Sequence, residues 1–326
     1  MASLTPGKIR HLQTATSPRG IIKILAIDHR DVLLEMLDPE NPYAIADNEV
    51  TDFKLDILRK AGSLASAVIL DAKYCIGQAV ATGSLPGNIG FLSALERELY
   101  DGTPQARETI TMPGWGVTQI KRLGASGVKL VLYYHPDAGE LTTRQERVAA
   151  EAIEACNRED IPMFLEPIAY SIDKNVPDNS PEFARQRRRI VLESVRRLGA
   201  LKPDVLKVQF PIDGHFDTSE SQWRAACEEL NDLSPCPWAL LSGGDPFDIF
   251  KAQLQVACEA GCSGFLAGRA LWRELTTAEK SERGDLLQSI VLPRLEQLNE
   301  VAEQYGHPWQ EKHTLPTIDH AWFATY

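Results

Sequence analysis

The chain has 326 residues, of which 44% are hydrophobic, and a formal net charge of −11. This length suits one α/β barrel with additional segments, and the acidic balance argues against a nucleic-acid-binding protein, which would more often present a cationic face. The sequence contains no run of eighteen apolar residues and its N-terminus lacks the apolar core of a secretory signal, so we expect neither a membrane span nor secretion.

Eight short apolar runs alternate with helical patterns along the chain. Apolar runs of this length are typical of strands that are buried on both faces of a parallel sheet. They cover residues 23–28, 66–71, 90–96, 127–134, 162–170, 204–211, 237–244 and 263–271. Helices are predicted at 48–61, 142–159, 181–199, 219–232, 246–260 and 285–304. The alternation predicts a single (β/α)8 TIM barrel over residues 21–305, between an N-terminal segment (1–20) and a C-terminal tail (306–326).

Residues that commonly begin helices, and segments that lack a helix or strand pattern, add detail to this prediction. Asp245 is expected to be the N-cap of the helix at 246–260, with Pro246 as its first residue. Two long loops, 97–115 after the third strand and 171–181 after the fifth, are expected to be functional, and the first to lie over the barrel mouth. The basic run 185–189 is interpreted as a solvated helix face.

The cysteines predict a reducing environment. They stand at positions 75, 156, 227, 236, 258 and 262, without a CxxC pair or an accompanying histidine cluster. Buried, reduced thiols are therefore expected rather than disulfides or a metal site, and we expect a cytoplasmic protein.

Charged side chains stand near the carboxyl ends of the predicted strands, where a barrel builds its active site. They are Asp28, Asp71, Glu96, Lys129, Glu166, Lys207 and Arg269. Strand alternation directs Lys207 into the barrel together with Val205 and Gln209, and the same parity applies to Lys129, Glu166 and Asp28. Two lysines and two carboxylates then converge in an apolar enclosure, where a structural Lys129–Glu166 ion pair is the alternative to a catalytic role.

The two lysines suit covalent chemistry on a ketone. A lysine attacks a carbonyl only as the free amine, and burial and a neighbouring cation both favour that form. Both conditions are expected around Lys207, with Lys129 as the second cation. The iminium is an electron sink, so the adjacent C–C bond can break, and Glu166 on the next strand is the candidate proton carrier. Asp28 is a candidate for binding substrate hydroxyls or orienting a lysine, and this chemistry requires no metal or other cofactor.

A phosphate site is expected after the last two strands, its usual place in this fold. The candidate residues are Ser242, Gly243 and Gly244 before a helix, and Gly268 with Arg269 after the eighth strand. The backbone N–H groups of the first loop can hold a phosphate, and the guanidinium can add charged hydrogen bonds. His29, Arg30 and Arg107 are candidates for an anion at the other end of the substrate.

Several segments resemble the class I tagatose-1,6-bisphosphate aldolase family and the related sulfofructosephosphate aldolases. They are LAIDHRD (25–31), TDFKLDILRKAGSLASAVILD (51–71), GVKLVLYY (127–134), FLEPIAY (164–170), DVLKVQFP (204–211) and GFLAGRALW (264–272). The resemblance runs in register over roughly residues 20–300. It implies a Schiff base on Lys207, Glu166 as acid and base, and Lys129 and Asp28 as active-site partners.

Two residues depart from the pattern of that family. His29 stands where such relatives often have Gln, and Gln209 where they usually have Glu. Both bear on substrate choice or on the tuning of the lysine. The final Tyr326 parallels a C-terminal tyrosine that some class I aldolases use, and a structural role of the tail is the alternative.

The predicted function is cleavage of a ketose 1,6-bisphosphate, tagatose 1,6-bisphosphate first, to dihydroxyacetone phosphate and glyceraldehyde 3-phosphate. Fructose 1,6-bisphosphate, 6-deoxy-6-sulfofructose 1-phosphate (which would give sulfolactaldehyde) and a non-catalytic sugar-phosphate-sensing barrel remain alternatives. A metal-dependent aldolase would need converging histidines, and the seven in this chain form no strand-end cluster. The expected partner is a small sugar phosphate, not a nucleic acid or a membrane, and assembly into a homo-oligomer is left open.

Overall fold

Eight parallel strands close into a barrel in the computed structural model, which describes residues 4–97, 99–324 and 326. The described residues form the strands β1 (Ile22–Ala26), β2 (Ala67–Leu70), β3 (Gly90–Ala94), β4 (Asp101–Thr103), β5 (Ala106–Glu108), β6 (Gly127–Tyr133), β7 (Met163–Ile168), β8 (Val205–Val208), β9 (Trp238–Leu241) and β10 (Gly264–Ala267). The barrel order is β1-β10-β9-β8-β7-β6-β3-β2, and β4 and β5 form a separate antiparallel hairpin. The predicted (β/α)8 barrel is confirmed, with each predicted barrel strand in place.

Helices surround the barrel in the alternation that the sequence predicts. They are α1 (Pro6–Ala15), α2 (Asp31–Leu37), α3 (Asp47–Ala61), α4 (Ile76–Ala81), α5 (Val117–Arg122), α6 (Glu140–Arg158), α7 (Pro181–Gly199), α8 (Glu220–Leu233), α9 (Phe247–Glu259), α10 (Arg269–Trp272), α11 (Arg283–Leu286) and α12 (Leu292–Tyr305). Short 3₁₀ turns lie at Pro42–Ala44, Gly62–Leu64, Arg273–Thr276, Trp309–Lys312 and Trp322–Ala324. None of the helices in the described ranges combines the length and the apolar character that a membrane crossing requires.

Three details differ from the prediction. The helix predicted at 285–304 is interrupted by a π-helical turn, Leu287–Val291, which ends two residues before Pro293, a residue without an N–H for an intrahelical bond. Pro246 is the N-cap of α9 rather than its first residue, because its ψ of 148° is extended; the N–H of Asp245 instead closes a turn onto the Ser242 carbonyl. The first long loop contains the β4–β5 hairpin.

Alternate strand residues face two separate cores, as strand geometry requires. Val205, Phe164 and Ala26 belong to a cluster inside the barrel. Leu206 and Val208 belong to the larger cluster between the strands and the helices. The predicted parity of the strands, and with it the inward direction of Lys207, is therefore confirmed.

The N-terminal and C-terminal segments close the amino end of the barrel. Leu12 of α1 and Trp309 after α12 pack against the inner cluster, and both are almost completely buried. Lys8 of α1 forms a buried ion pair of 2.7 Å with Asp204, just before β8. Residues 1–3 of the N-terminal segment, Glu98 of the first long loop and Thr325 of the tail lie outside the described residues.

Candidate active site

A cavity of about 150 Å³ opens at the carboxyl ends of the barrel strands. Its walls include most of the predicted site residues, namely Asp28, His29, Arg30, Lys129, Glu166, Lys207 and Arg269. A larger cavity of about 470 Å³ lies near Lys8 and Asp204 at the amino end. Because that second cavity contains none of the predicted catalytic side chains, the smaller one is the candidate active site.

Lys129 is surrounded by carboxylates. Its Nζ lies 2.7 Å from Asp28 Oδ2, 2.8 Å from Glu96 Oε1 and 3.3 Å from Glu166 Oε2. Burial alone would lower the pKa of Lys129, but these three carboxylates together raise it well above its usual value. Lys129 is therefore a fixed cation at neutral pH.

Glu166 lies between the two inward-facing lysines. Its Oε1 is 2.9 Å from Lys207 Nζ, because β7 and β8 are adjacent and Leu165 pairs with Leu206. Its Oε2 is buried and, among the described residues, accepts no hydrogen bond of acceptable geometry, although Lys129 is near. One carboxylate oxygen thus contacts Lys207, and the other retains the capacity to exchange a proton with a bound molecule.

Asp28 remains ionised in its buried position. Burial by itself would raise the pKa of this carboxyl group, but the neighbouring basic groups, Lys129 above all, hold it well below its usual value. Asp28 and Lys129 form a fixed pair of opposite charges on the cavity wall, so Asp28 can accept hydrogen bonds from hydroxyl groups.

Glu96 is a site residue that the sequence analysis placed at a strand end but assigned no role. Besides contacting Lys129, it accepts the Val131 N–H through Oε2 at 3.1 Å. Arg30 donates to the Glu96 carbonyl oxygen at 2.9 Å and lies 3.7 Å from its carboxylate. Arg30 is therefore held by Glu96 as it lines the cavity. The role of Glu96 could have been inferred from the sequence, because Glu96 follows β3 and has the same parity as the strand residues that face the barrel interior.

The predicted phosphate loop, residues 242–244 after β9, has a backbone conformation that glycine allows. Gly243 and Gly244 have φ values of 57° and 98°, a left-handed region that favours glycine. Arg269 Nη2 donates to the Gly243 carbonyl at 3.0 Å, and Arg273 donates to the Gly244 carbonyl. These contacts bring the loop after β9 and the residues after β10 together, with Ser242 buried beside them.

Gly268 allows the first and last strands to approach each other closely. A Cβ atom there would lie 2.8 Å from the Ala26 carbonyl oxygen and from His29 Cε1. His29 accordingly lies beside the phosphate loop, since β1 and β10 are neighbours. Its ring packs edge-on against Trp272 at 5.1 Å, and Nδ1 is buried with no hydrogen bond in the described part of the chain.

A family model for the DeoC/LacD family aldolases matches residues 22–274, which span the barrel and all of these side chains. The chain belongs to the DeoC/LacD aldolase family. Membership makes this protein an aldolase, a carbon–carbon lyase, and confirms the family resemblance and the enzyme class expected from the sequence.

Relatives and solved structures agree with this assignment. The chain is 30% identical to tagatose 1,6-diphosphate aldolase 2 of Enterococcus faecalis over 96% of this chain and 98% of the relative. It is 29% identical to tagatose 1,6-diphosphate aldolase of Streptococcus agalactiae over 95% of this chain and 99% of the relative.

Among solved structures, similarity extends to the fold. A fructose-bisphosphate aldolase from Plasmodium falciparum matches with a TM-score of 0.65, at 16% identity, over 94% of this chain and 98% of the other. An archaeal fructose 1,6-bisphosphate aldolase matches with a TM-score of 0.60, at 19% identity, over 91% and 99%. The barrel is thus an architecture that aldolases use.

Several other residues that the sequence singled out lie away from the cavity. Gln209 accepts the Ala169 N–H at 2.7 Å and so joins the ends of β8 and β7. Tyr326 donates its hydroxyl to Asp160, before β7, at the opposite end of the barrel from Lys207. Asp71 forms a fully buried ion pair with Lys54 of α3, in the outer layer. The basic run 185–189 lies on α7, as predicted, and most of its arginines are exposed, but Arg187 is largely buried and pairs with Asp213.

Proposed function

We propose that this DeoC/LacD family member is a class I aldolase that cleaves a ketose 1,6-bisphosphate through a Schiff base on Lys207. The observation that carries the proposal is the contact of Lys207 Nζ with Glu166 Oε1 at 2.9 Å, with the fixed cation Lys129 on the other side of Glu166. A nucleophilic lysine and a proton carrier are therefore within direct reach of each other.

The proposed reaction begins when the Lys207 amine attacks the C2 carbonyl of the open-chain ketose. Loss of water, with protons passing through Glu166, leaves a protonated imine. A base then removes the C4 hydroxyl proton, the C3–C4 bond breaks, and its electron pair moves onto the iminium to form an enamine. Glyceraldehyde 3-phosphate leaves as the C4 oxygen becomes its aldehyde. Protonation at C3 and hydrolysis then release dihydroxyacetone phosphate and restore the amine.

The charged walls suit the remaining polar groups of the substrate. Ser242, Gly243, Gly244 and Arg269 would hold the 1-phosphate, because β9 and β10 follow β8 around the barrel and Lys207 must reach C2. Asp28 would accept hydrogen bonds from the sugar hydroxyls, and Lys129 would keep that carboxylate in place. The iminium takes the role that a metal ion has in other aldolases, so the proposal requires no metal.

Tagatose 1,6-bisphosphate is the substrate we propose. The relatives that share about 30% identity over nearly the whole chain carry that substrate in their names. The six free, buried cysteines suit a reducing compartment, so we propose that the reaction takes place in the cytoplasm.

Borohydride trapping tests the covalent step. With dihydroxyacetone phosphate, borohydride should inactivate the enzyme and attach one triose phosphate to Lys207, in the presence of EDTA as well as in its absence. Peptide mass spectrometry locates the adduct. Lys207→Met should abolish both the adduct and turnover. An adduct on Lys129 would contradict the assignment of roles, and turnover that requires zinc would contradict the class I mechanism.

Comparison of three substrates tests the specificity. We expect kcat/KM to be highest for tagatose 1,6-bisphosphate, ahead of fructose 1,6-bisphosphate and 6-deoxy-6-sulfofructose 1-phosphate. A hundredfold preference for the sulfosugar, about 2.7 kcal/mol at the transition state, would replace the proposed substrate and leave the mechanism intact.

A further inference from the structure

The two long loops of the chain are joined by one ion pair at the carboxyl end of the barrel. Arg107, in the β4–β5 hairpin, donates to the carboxylate of Asp178 in the loop after β7. Arg107 Nε also donates to the Pro104 carbonyl at 2.8 Å, and Asp178 accepts the Ser171 N–H at 2.7 Å. Each partner is thus anchored in its own loop.

Three tyrosine rings surround the guanidinium of Arg107. Its Cζ lies 5.0 Å from the centroid of Tyr100, 5.8 Å from that of Tyr133 and 5.0 Å from that of Tyr170. The rings attract the faces of the cation, whereas its N–H groups lie in the guanidinium plane and can still donate to an oxyanion. The rings hold the cation in place independently of Asp178.

This cation lies close to the candidate active site. Tyr133 is part of the cavity wall, as is Thr109 just after β5. Tyr133 has the same parity on β6 as Lys129, four residues or roughly 13 Å further along the strand. Arg107 therefore lies above the catalytic cluster, beside the entrance of the cavity.

The barrel order places Arg107 across the mouth from the phosphate loop. The proposed phosphate site lies after β9 and after β10, whereas the hairpin follows β3 and precedes β6. In the closed order β1-β10-β9-β8-β7-β6-β3-β2, the β3–β6 pair is half-way around from the β9–β10 pair. A substrate with an anion at each end, bound across the mouth, would direct its second anion towards the hairpin.

We infer that Arg107 is a specificity-determining residue that binds the anionic group at the substrate end remote from the Schiff base. It does so by exchanging its ion pair with Asp178 for one with that group, a phosphate or another tetrahedral oxyanion. The inference rests on the proposed function. The Asp178 side chain is 38% exposed and that of Arg107 only 15%, so the carboxylate can turn into water while the guanidinium stays between the rings.

The decisive measurement compares substrates with and without the remote phosphate. For Arg107→Gln, we expect KM for tagatose 1,6-bisphosphate to rise roughly ten- to hundredfold, the scale of one charged hydrogen-bonding contact. The kcat/KM for tagatose 1-phosphate should stay unchanged. Arg107→Lys, which keeps the charge but loses the planar fork, should fall between the two enzymes.

Two further variants distinguish binding of the substrate anion by Arg107 from a purely structural link between the two loops. Asp178→Asn retains an acceptor for the Ser171 N–H and removes the competing charge, so KM for the bisphosphate should fall severalfold. Arg97→Gln removes an exposed arginine from the same loop, paired with Asp101, and should leave both substrates unaffected. Equal losses on both substrates for Arg107→Gln and Asp178→Asn would overturn the inference in favour of a structural clasp.

Borohydride trapping of dihydroxyacetone phosphate distinguishes the two possible failures. If the unmodified enzyme forms the Lys207 adduct but Arg107→Gln keeps the ratio of the two kcat/KM values, the inference fails and the proposed function stands. If the unmodified enzyme forms no adduct, both fail. Adduct formation by Arg107→Gln at the normal rate also shows that its catalytic end is folded.

Discussion

Acidic and basic side chains at the candidate active site are paired residue by residue. The buried cluster contains the carboxyl groups of Asp28, Glu96 and Glu166 and the basic groups of Lys129, Lys207 and Arg30, and each carboxyl group contacts at least one of these basic groups. Desolvating an unpaired charge would cost several kcal/mol, and opposite partners at these distances offset that cost. These contacts therefore stabilise the ionised groups of the cluster inside an apolar barrel.

His29 lies beside this cluster. Among the described residues it has no carboxylate partner of its own, since Asp28 is already paired with Lys129. Burial lowers the pKa of His29 well below its usual value; Asp28 opposes the shift, and the cations of Arg269, Lys207 and Lys129 add to it. The imidazole is therefore neutral at pH 7 and can act as a neutral hydrogen-bonding group beside the phosphate loop.

Stability should depend on pH through His29. Because its pKa is lower in the folded than in the unfolded state, the unfolded state binds more protons just below the unfolded value of about 6.5. Stability is then complete above that pH and declines below it, by up to about 1.4 kcal/mol per pH unit from this one group. The decline ends at the depressed folded pKa.

Urea unfolding of the wild type and His29→Gln between pH 7.5 and 5 checks this expectation. The variant should show a shallower loss of unfolding free energy below about pH 6.5, since it lacks the titrating group. Parallel curves for the two proteins would show that protonation of His29 does not lower the free energy of unfolding.

At the scale of elements, a fully buried ion pair joins α3 to the end of β2. Lys54 and Asp71 are both 0% exposed, and Asp71 also accepts the Tyr74 N–H at 2.7 Å. The carboxylate thus fixes the turn that follows β2, and the lysine neutralises it within the outer core. The pair lies in the layer between strands and helices, away from the candidate active site.

Removal of the lysine should be costly. Lys54→Met leaves the Asp71 charge buried without a partner, and we expect a loss of about 3–5 kcal/mol in the free energy of unfolding, measured with urea. Lys54→Met combined with Asp71→Asn should recover part of that loss, because no uncompensated charge remains and the Tyr74 N–H keeps an acceptor. Folded fractions of both variants should retain the wild-type KM. A loss below 1 kcal/mol for the single variant would mean that water reaches the pair.

Across the whole molecule, the two ends of the barrel have separate tasks. The carboxyl end holds the candidate active site, and the amino end is closed by α1 and Trp309. Tyr326 donates to Asp160 at this closed end, and its side chain is largely exposed. A catalytic part for the final tyrosine within the same chain would require the tail to pass around the barrel.

Substitutions at the closed end should therefore affect stability but not chemistry. Tyr326→Phe is expected to keep kcat and KM within about twofold of the wild type, because a single exposed contact contributes little. Trp309→Ala, which removes a buried indole from the inner core, should cost about 3–5 kcal/mol of unfolding free energy. A large fall in kcat for Tyr326→Phe, with an unchanged free energy of unfolding, would support a catalytic role for this tyrosine.

Sequence alone determined the barrel and the direction of its candidate catalytic side chains. Buried parallel strands require continuous apolar runs, so the eight strands were visible, and an alternation of two residues placed Lys207, Lys129, Glu166 and Asp28 on one inner surface. The family resemblance supplied their proposed roles. The strand positions and side-chain directions do not depend on loop conformation, and for this reason the structure agrees with them.

Only the tertiary structure decided which charges are partners. Asp71 and Glu96 both follow strands in the sequence, yet one pairs with a helix in the outer layer and the other contacts Lys129 inside. The meeting of Arg107 with Asp178, and of Tyr326 with Asp160, joins residues far apart along the chain. Such pairings follow from how loops and termini close over the barrel. A local sequence pattern does not predict these pairings, because strand parity fixes the direction in which a side chain points but not the residue that it contacts.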